Sequence, residues 1–382
     1  MSRRPPGLAL LVATLATFSA VGPRDPRPAA AAPARCERVV LVVFGGGVRA
    51  KEFLGRPDVL PTVKAIGAAG SASDGWAAAG GDPIDATKGI LLGRKVGVAT
   101  PGRVRPDAPT LFEWARKGGG LSARDVWFSS YADGEALDLA CSDAKDLGAP
   151  FAPSVAVGAG PFGERLKGLF GLFGRPNPTK ARTWTLLRDL RRATAAAAKV
   201  EGADDAGTDE GLRLERALLD EVDRRAADVG GAAPLDARAV RAGITVLRLF
   251  RPRLLVIRLG QADVGSKGVA AYLEVLRRDD DELARLRAEI ASDPVLRGTT
   301  ALVVTTDLGR DAAQNAAGGY GRGDGSPDAT TCAVVAEGPG IRRGATPRAP
   351  RDVRDLAPSI GALLGFATPS AEGRVRDDWI AR

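Results

Sequence analysis

The chain has 382 residues, 45% of them apolar and 26% charged, and its formal net charge is +8. This is the composition of an ordinary globular protein, long enough for one large α/β domain or two average ones. Arginines alternate with acidic residues in the helical segments, and aromatic residues make up only 5%. Solvated helix faces therefore explain the positive charge better than nucleic-acid binding does. Histidine, the commonest metal ligand in proteins, is absent from the sequence.

The N-terminus has the pattern of an export signal. Arg3 and Arg4 precede an apolar run over residues 7–20, and an Ala/Pro stretch follows. This pattern predicts a secretory signal peptide over residues 1–34 and an exported domain, periplasmic or secreted, over residues 35–382. The apolar run is shorter than the ~20 residues that a bilayer core requires, so we expect cleavage and no membrane span afterwards.

Three cysteines, Cys36, Cys141 and Cys332, are widely spaced in the chain. In an exported protein two of them could form a disulfide and leave one free, and the spacing does not say which two. Because there is no C-x-x-C pair and no histidine, the sequence does not predict a zinc site built on these thiols.

Strands and helices alternate along the chain. Short apolar runs, mostly β-branched or aromatic and bounded by Gly, Asp or Ser, predict buried strands over residues 39–44, 125–128, 254–259, 301–306 and 332–336. Helical periodicity predicts helices over residues 60–69, 110–117, 212–229, 237–250 and 270–290. This alternation favours an α/β fold with a mostly parallel central sheet and helices on both faces.

Three local patterns refine this prediction. Thr110 and Glu113 have the spacing of a capping box, which marks the start of a helix. Residues 148–211 begin with a Gly- and Pro-rich stretch and end with a polar, acidic one, which predicts a loop-rich insertion within the domain. The charged run over residues 277–282 lies within a long amphipathic helix, and we interpret it as a solvated face.

Ligands of open α/β sheets bind beyond the carboxyl ends of the strands. Three predicted strands end in distinctive segments, which are GGGVR over residues 45–49, GQAD over residues 260–263 and DLGR over residues 307–310. Because the carboxyl ends of parallel strands meet at one edge of a sheet, we expect these segments to lie together and to hold any functional site.

These segments carry a resemblance to a known family. Residues 251–260 (RPRLLVIRLG), Asp263 and residues 305–310 (TTDLGR) resemble the second half of the alkaline phosphatase superfamily, with its sulfatase and phosphodiesterase-like branches closest. The LLGR at residues 91–94 and the GPGI at residues 338–341 also fit. The resemblance implies an alkaline phosphatase-like three-layer fold. It also implies two metal ions held by aspartates and histidines, and a Ser or Thr nucleophile that accepts a phosphoryl or sulfuryl group.

Several positions depart from this family pattern. The family aspartate at the end of the first strand falls on Gly45, and the nucleophile falls near Pro83. The nearest polar residues to that position are Asp82, Asp85 and Thr87. We therefore assign no catalytic residue and interpret the chain as a degenerate member of the family.

The metal-ligand positions are only partly kept. Two family aspartates correspond to Asp263 and Asp307, which we interpret as vestigial metal ligands. The family histidines fall on Ser266 or Lys267, on Leu308 and near Tyr320.

No cofactor is expected, because two isolated aspartates do not make a transition-metal site. The favoured function is an exported pseudoenzyme with a binding or structural role and unknown partners, in which Asp263 and Asp307 cap turns. One alternative is an atypical hydrolase of phosphate or sulfate esters that uses Mg²⁺ or Ca²⁺ held by these aspartates with Asp82 and Asp85. Lys267 could instead pair with either carboxylate and replace the charge of a metal.

A second alternative starts from residues 45–50 (GGGVRA), which fit the G-x-G-x-x-A form of a dinucleotide-binding loop. Such a loop would hold phosphate on the N–H groups of a helix N-terminus. A second strand ending in an acidic residue is then required about twenty residues later. Residues 69–79 contain Asp74 but do not have a strand pattern. We therefore prefer the interpretation that the glycines fill the space left by a lost metal-binding aspartate.

Overall fold

The structure is a computed structural model that describes residues 34–96, 105–130, 138–157 and 234–381. Its strands are β1 (Arg38–Phe44), β2 (Ser71–Ala77), β3 (Val126–Ser130), β4 (Ser154–Val157), β5 (Leu254–Leu259), β6 (Thr300–Thr306), β7 (Thr331–Glu337) and β8 (Arg351–Asp352). They form one sheet in the order β4-β3-β5-β1-β6-β7-β2-β8. Only β7 runs antiparallel to its neighbours β6 and β2. The prediction of a mostly parallel sheet is confirmed.

All five predicted strands are present within two residues of their predicted bounds. Three others were missed. The prediction that residues 69–79 do not form a strand is wrong, because β2 lies there. Its small residues and exposed positions conceal the usual alternation, and the pairing with β7 shifts register between Ser73 and Trp76. Strand β4 lies at the start of the predicted loop-rich insertion, most of which falls outside the described residues.

The described helices are α1 (Ala50–Gly55), α2 (Pro61–Ala69), α3 (Pro83–Leu92), α4 (Leu111–Lys117), α5 (Leu235–Phe250), α6 (Val269–Ser292), α7 (Pro327–Thr330) and α8 (Leu356–Leu364). Side chains alternate along β1, so Val39, Leu41 and Val43 pack with α3, α4 and α8. Val40, Val42 and Phe44 pack on the other face with α1, α2, α5 and α6. The predicted helices on both faces of the sheet are confirmed.

The capping box at the start of α4 is also confirmed. The Thr110 hydroxyl accepts the Glu113 backbone N–H, and the Glu113 carboxylate accepts the Thr110 N–H at 2.7 Å. The same carboxylate accepts the Ser142 hydroxyl and the Gly148 N–H, each at 2.6 Å. One buried glutamate thus joins the start of α4 to the segment that leads to β4.

The interpretation of residues 277–282 as a solvated face is wrong for three of the six. Asp279, Asp280 and Glu282 are buried. The Asp280 carboxylate accepts the backbone N–H groups of Thr62 and Val63 at 2.9 and 3.0 Å, and so caps the start of α2. These three acidic side chains face neighbouring elements, and their contacts hold α6 against the rest of the domain.

Asp279 forms a buried carboxyl pair with Asp236, whose carboxylate accepts the N–H groups of Gly260 and Gln261, both at 2.8 Å. Burial first, and then the charge of Asp236, raises the pKa of Asp279 well above its ordinary value. The folded state therefore binds a proton that the unfolded chain releases near pH 4. The stability contributed by this proton is lost as pH rises from there through the folded-state pKa.

We expect the Asp279→Asn substitution to remove this pH dependence, because asparagine can donate to Asp236 without a titrating proton. At neutral pH the variant should equal or exceed the wild type in stability, by up to about 2 kcal/mol. Urea unfolding of both proteins between pH 4 and 8 measures the difference in the free energy of unfolding. If the difference in the free energy of unfolding between the two proteins stayed constant across this range, Asp279 would not bind a proton in the folded state.

The three cysteines are all free and buried, so the disulfide considered from the sequence is not formed. Burial raises the pKa of the Cys36 thiol to about 11. No helix in the described ranges has both the length and the apolarity needed to cross a bilayer. The predicted helix over residues 212–229, the signal peptide and most of the predicted insertion lie outside the described residues.

Candidate functional site

The carboxyl ends of β1, β5 and β6 are adjacent in the sheet, as the sequence predicted. The segments that follow them bring together Gly45, Asp263 and Asp307, three positions singled out from the sequence. The short helix Gln261–Ser266 follows β5. Charged side chains gather here at the one sheet edge where an open α/β fold places its ligands.

Gly45 has no room for a side chain. A Cβ built on it would lie 2.3 Å from the Leu259 carbonyl oxygen and 3.2 Å from a terminal guanidinium nitrogen of Arg258. Contacts this close to backbone cannot be relieved by a rotamer change. Arg258 is itself buried on β5, and its Nε donates to the Thr87 hydroxyl at 3.1 Å. The Arg258 guanidinium therefore takes the space in front of position 45.

Asp307 is fully buried, and the backbone uses its carboxylate. Gly46 and Gly47 donate their N–H groups at 3.0 and 3.1 Å, and Leu308 donates at 2.7 Å. Both glycines have positive φ, 86° and 84°, which turns their N–H groups toward one anion. Burial raises the pKa of Asp307 to about 6, while Arg258 and the three N–H groups oppose the shift. The carboxylate is thus ionised at neutral pH.

Arg310, four residues after β6, is fully buried in the middle of the three segments. Its guanidinium donates to the carbonyl oxygens of Gly46, Gly47, Ala262 and Tyr320 at 2.5–2.8 Å. One terminal nitrogen also lies 3.7 Å from the Asp263 carboxylate. A planar guanidinium with five N–H groups suits this arrangement, because each carbonyl receives a separate donor. Arg310 therefore links all three strand-end segments.

Asp263 lies at the solvent side of this arrangement, with 61% of its side chain exposed. Its carboxylate pairs with Arg322 as well as with Arg310. The sequence suggested Lys267 as a pairing partner, but Lys267 is exposed and makes no described contact with Asp263 or Asp307. Ser266 donates only to the Asp263 backbone carbonyl, at 3.3 Å. The pairing role expected of Lys267 belongs to two arginines instead.

The resemblance seen in the sequence placed one family histidine on Leu308 and another near Tyr320. Leu308 is 3% exposed and packs as an apolar residue. The Tyr320 ring lies under the guanidinium of Arg49, 3.4 Å from its centroid, and edge-on to Tyr272. Such a cation–π contact fixes both side chains. Neither position can supply a metal ligand of the imidazole type.

The position that the resemblance gave to the nucleophile, near Pro83, lies at the start of α3. Pro83 is the first residue of the helix, and the Asp82 carboxylate caps it by accepting the N–H groups of Ile84 and Asp85. Asp85 pairs with Lys88 at 3.5 Å. Thr87 is fully buried and accepts from Arg258. The polar side chains near this position are therefore engaged in local contacts.

The residues present do not fit the metal centre that the fold family implies. Gly45 cannot carry a ligand, Asp307 already accepts three N–H groups, and Leu308 has no donor atom. No group of three potential ligands from Asp, Glu and Cys converges in the described ranges. The cationic side chains of Arg258 and Arg310 also lie beside the remaining carboxylates. A divalent cation would meet their positive charge.

The dinucleotide alternative also fails at this edge. The N–H groups of Gly46 and Gly47, which would hold a phosphate, already donate to Asp307. Strand β2 is separated from β1 by β6 and β7 instead of pairing with it. Gly46 and Gly47 instead donate to the buried carboxylate of Asp307, and their lack of a side chain allows neighbouring backbone to approach closely.

Sequence reasoning missed Arg258, Arg310 and Arg49 as organising residues. One signal was present, since Arg258 is the only charged residue in the predicted buried strand over residues 254–259. A charge buried in a strand must be paired or hydrogen-bonded. The partners of Arg310, however, are backbone carbonyls, which no side-chain pattern reveals.

The sequence matches no protein-family model and no curated protein. Solved structures nevertheless share the fold. A mutant of the alkaline phosphatase PafA superposes with a TM-score of 0.56 at 10% identity, over 92% of this chain and 100% of that chain. A 2-O GAG sulfatase gives a TM-score of 0.55 at 10% identity, over 89% and 73% of the two chains. Ps i-CgsB in complex with k-i-k-neocarrahexaose gives 0.53 at 11% identity, over 89% and 75%.

Proposed function

We propose that this chain, which has the fold of the alkaline phosphatase superfamily, is an exported protein without hydrolase activity that serves a binding or structural role. The observation that carries the proposal is the state of the strand-end site. Its carboxylate, Asp307, is bound by backbone N–H groups, and its central cation is a side chain, Arg310. Groups of the chain itself therefore occupy the positions that a metal ion or a ligand would otherwise take.

The energetics support this proposal. Hydrogen bonds to a charged group contribute about 1.5–3 kcal/mol each when both partners are buried. Asp307 has three such bonds and Arg310 has four. A ligand that needed Asp307 or the carbonyls of Gly46 and Gly47 would have to break several of them. We infer that these residues stabilise the fold and are not available for chemistry.

The nucleophile position supports the same conclusion. A nucleophilic hydroxyl requires an adjacent base and access to the substrate. Thr87 is fully buried, and its described contact is with the Arg258 cation, which is not a base. Asp82 and Asp85 are held by helix N–H groups and Lys88.

The alternative is a cation-dependent hydrolase of phosphate or sulfate esters that works through Asp263 and Asp307. Its one favourable feature is the exposure of Asp263, which leaves a carboxylate at the edge of the site. The opposing feature is stronger, because Asp263 already lies between two guanidinium groups.

Turnover of aryl phosphates and aryl sulfates separates the two functions. We expect the exported protein, checked by mass for an N-terminus at Arg35, to give no more turnover with Mg²⁺, Ca²⁺ or Mn²⁺ than an Asp263→Asn, Asp307→Asn double variant. Turnover that exceeds this control and disappears with chelator would establish the hydrolase instead. A mass that retains residues 1–34 would contradict the export part of the proposal alone.

A further inference from the structure

The amino-terminal edge of the sheet, opposite the strand-end site, is where the chain enters the domain. The backbone N–H groups of Arg35 and Cys36 both donate to the Leu363 carbonyl, at 2.8 and 3.1 Å. Strands β1, β5 and β6 begin at this edge, and β7 ends there. The described part of the chain therefore begins at this edge.

Four arginines at this edge have no carboxylate partner in the described part of the chain, and we call them the basic edge. They are Arg253, Arg297, Arg342 and Arg343. Arg253, Arg342 and Arg343 each donate an Nε to a backbone carbonyl, which leaves their charge without a counter-ion. The edge thus carries an excess of positive charge.

Four acidic residues nearby do not offset this excess, because each is paired with another arginine. The pairs are Glu37 with Arg38, Asp293 with Arg251, Glu337 with Arg287 and Asp377 with Arg35. Asp125, which precedes β3 at the same edge, accepts from Ser122 and offsets at most one of the four charges.

The strand-end edge differs, although it is also rich in arginine. There Arg49 pairs with Glu52, and both Arg322 and the buried Arg310 lie within ion-pair distance of Asp263. The amino and carboxyl ends of β1, β5 and β6 therefore differ in unpaired positive charge.

An open groove of about 930 Å³ lies beside the basic edge, and Arg297 and Arg343 line it. Small apolar side chains of α2 and α6 form much of its wall, among them Ala65, Ala284 and Ala288. Val295, two residues from Arg297, is one of the few large apolar side chains exposed in the described ranges. The edge thus combines cationic side chains with apolar surface, a pairing that suits an anionic amphiphile.

We infer that the basic edge is a docking surface for a bilayer that contains anionic phospholipid. Guanidinium groups bind phosphate, and Val295 and the groove offer the apolar contact that a soluble polyanion would leave unused. Export as proposed above passes the chain across a membrane, so the surface and its partner meet. The inference rests on the export part of the proposed function and is independent of the loss of catalysis.

Binding to vesicles tests the inference with the full chain. The readout is the ratio of partitioning into phosphatidylglycerol-containing vesicles to partitioning into phosphatidylcholine vesicles, because any retained apolar segment enters both. The test variant replaces Arg253, Arg297, Arg342 and Arg343 with glutamine. A control variant of equal charge replaces the exposed residues Arg277, Arg278, Arg285 and Lys145 with glutamine.

At low salt each arginine near an anionic surface contributes roughly fivefold to partitioning. We therefore expect the ratio to fall at least about 100-fold in the test variant and only slightly in the control. Added salt should reduce the wild-type ratio. A charge-reversing Arg297→Glu, Arg343→Glu variant, with both positions exposed, gives the same test if the quadruple variant does not fold.

An equal fall in both variants, or a wild-type ratio near one, would overturn the inference. Binding to soluble heparin without preference for anionic vesicles would also overturn it, because the edge would then recognise a polyanion. Loss of export with an intact vesicle preference would contradict only the proposed localisation. Detection of hydrolase activity would contradict only the proposed function.

Discussion

Replacing Arg310 with alanine is expected to lower the free energy of unfolding by about 3–5 kcal/mol, because the substitution removes a buried charge and leaves its partners unsatisfied. Four carbonyl oxygens lose their donor, and the Asp263 carboxylate loses one of its two guanidinium neighbours. Urea unfolding of the variant measures the loss.

Two further substitutions interpret this loss, one that keeps the charge of Arg310 and one at an exposed arginine that serves as a control. Arg310→Lys keeps the charge but offers only three N–H donors from one atom, so we expect it to recover part of the stability. Arg277→Ala, on an exposed face of α6, should change the free energy of unfolding by less than about 0.5 kcal/mol. An Arg310→Ala loss no larger than that of Arg277→Ala would show that Arg310 does not organise the strand ends.

Replacing Gly45 with alanine is expected to lower the free energy of unfolding by about 1–3 kcal/mol, the usual range for forcing an extra methyl into packed structure. The new Cβ would lie 2.3 Å from the Leu259 carbonyl oxygen, so the paired ends of β1 and β5 must move apart. Thermal unfolding monitored by circular dichroism measures the effect.

Gly55→Ala is the matched control for this substitution. A Cβ on Gly55 meets no atom within 4 Å, and this last residue of α1 should gain up to about 1 kcal/mol from reduced freedom of the unfolded chain. If Gly45→Ala were as stable as Gly55→Ala, the backbone at position 45 would have room for a carboxylate ligand. Position 45 would then no longer exclude a metal centre.

The sequence predicted the fold where local physics was strong. The β-branched runs of β1, β5 and β6 and the capping box at Thr110 specify their elements directly. Strand β2 was missed because SASDGWA has few apolar residues, and its pairing with β7 decides its conformation. Asp280 was assigned to solvent because a charged run on a helix is usually exposed, yet the helix N-terminus of α2 lies against it.

The sequence predicted that the segments after β1, β5 and β6 lie together, but it did not predict the contacts that they make. Position 45 and Asp307 were recognised as significant, since both follow predicted strands. The role of Arg310 depends on carbonyl groups from three separate segments, and only the folded backbone brings them together. Lys267 was considered as a substitute cation because the family fold implies that it lies near the carboxylates, whereas the cation that fills the site, Arg310, comes from the segment after β6.

The central claim is that the strand-end site is a cation site filled by the chain's own guanidinium group. The melting temperature of Arg310→Ala in methylguanidinium, at concentrations below those that denature the wild type, tests it most directly. We predict that the ligand enters the vacated space and raises the melting temperature, as any ligand of the folded state does. Arg310→Met, which fills the space without a charge, should gain nothing. Equal responses of the two variants, or rescue by Mg²⁺ or Ca²⁺ instead of methylguanidinium, would contradict the claim.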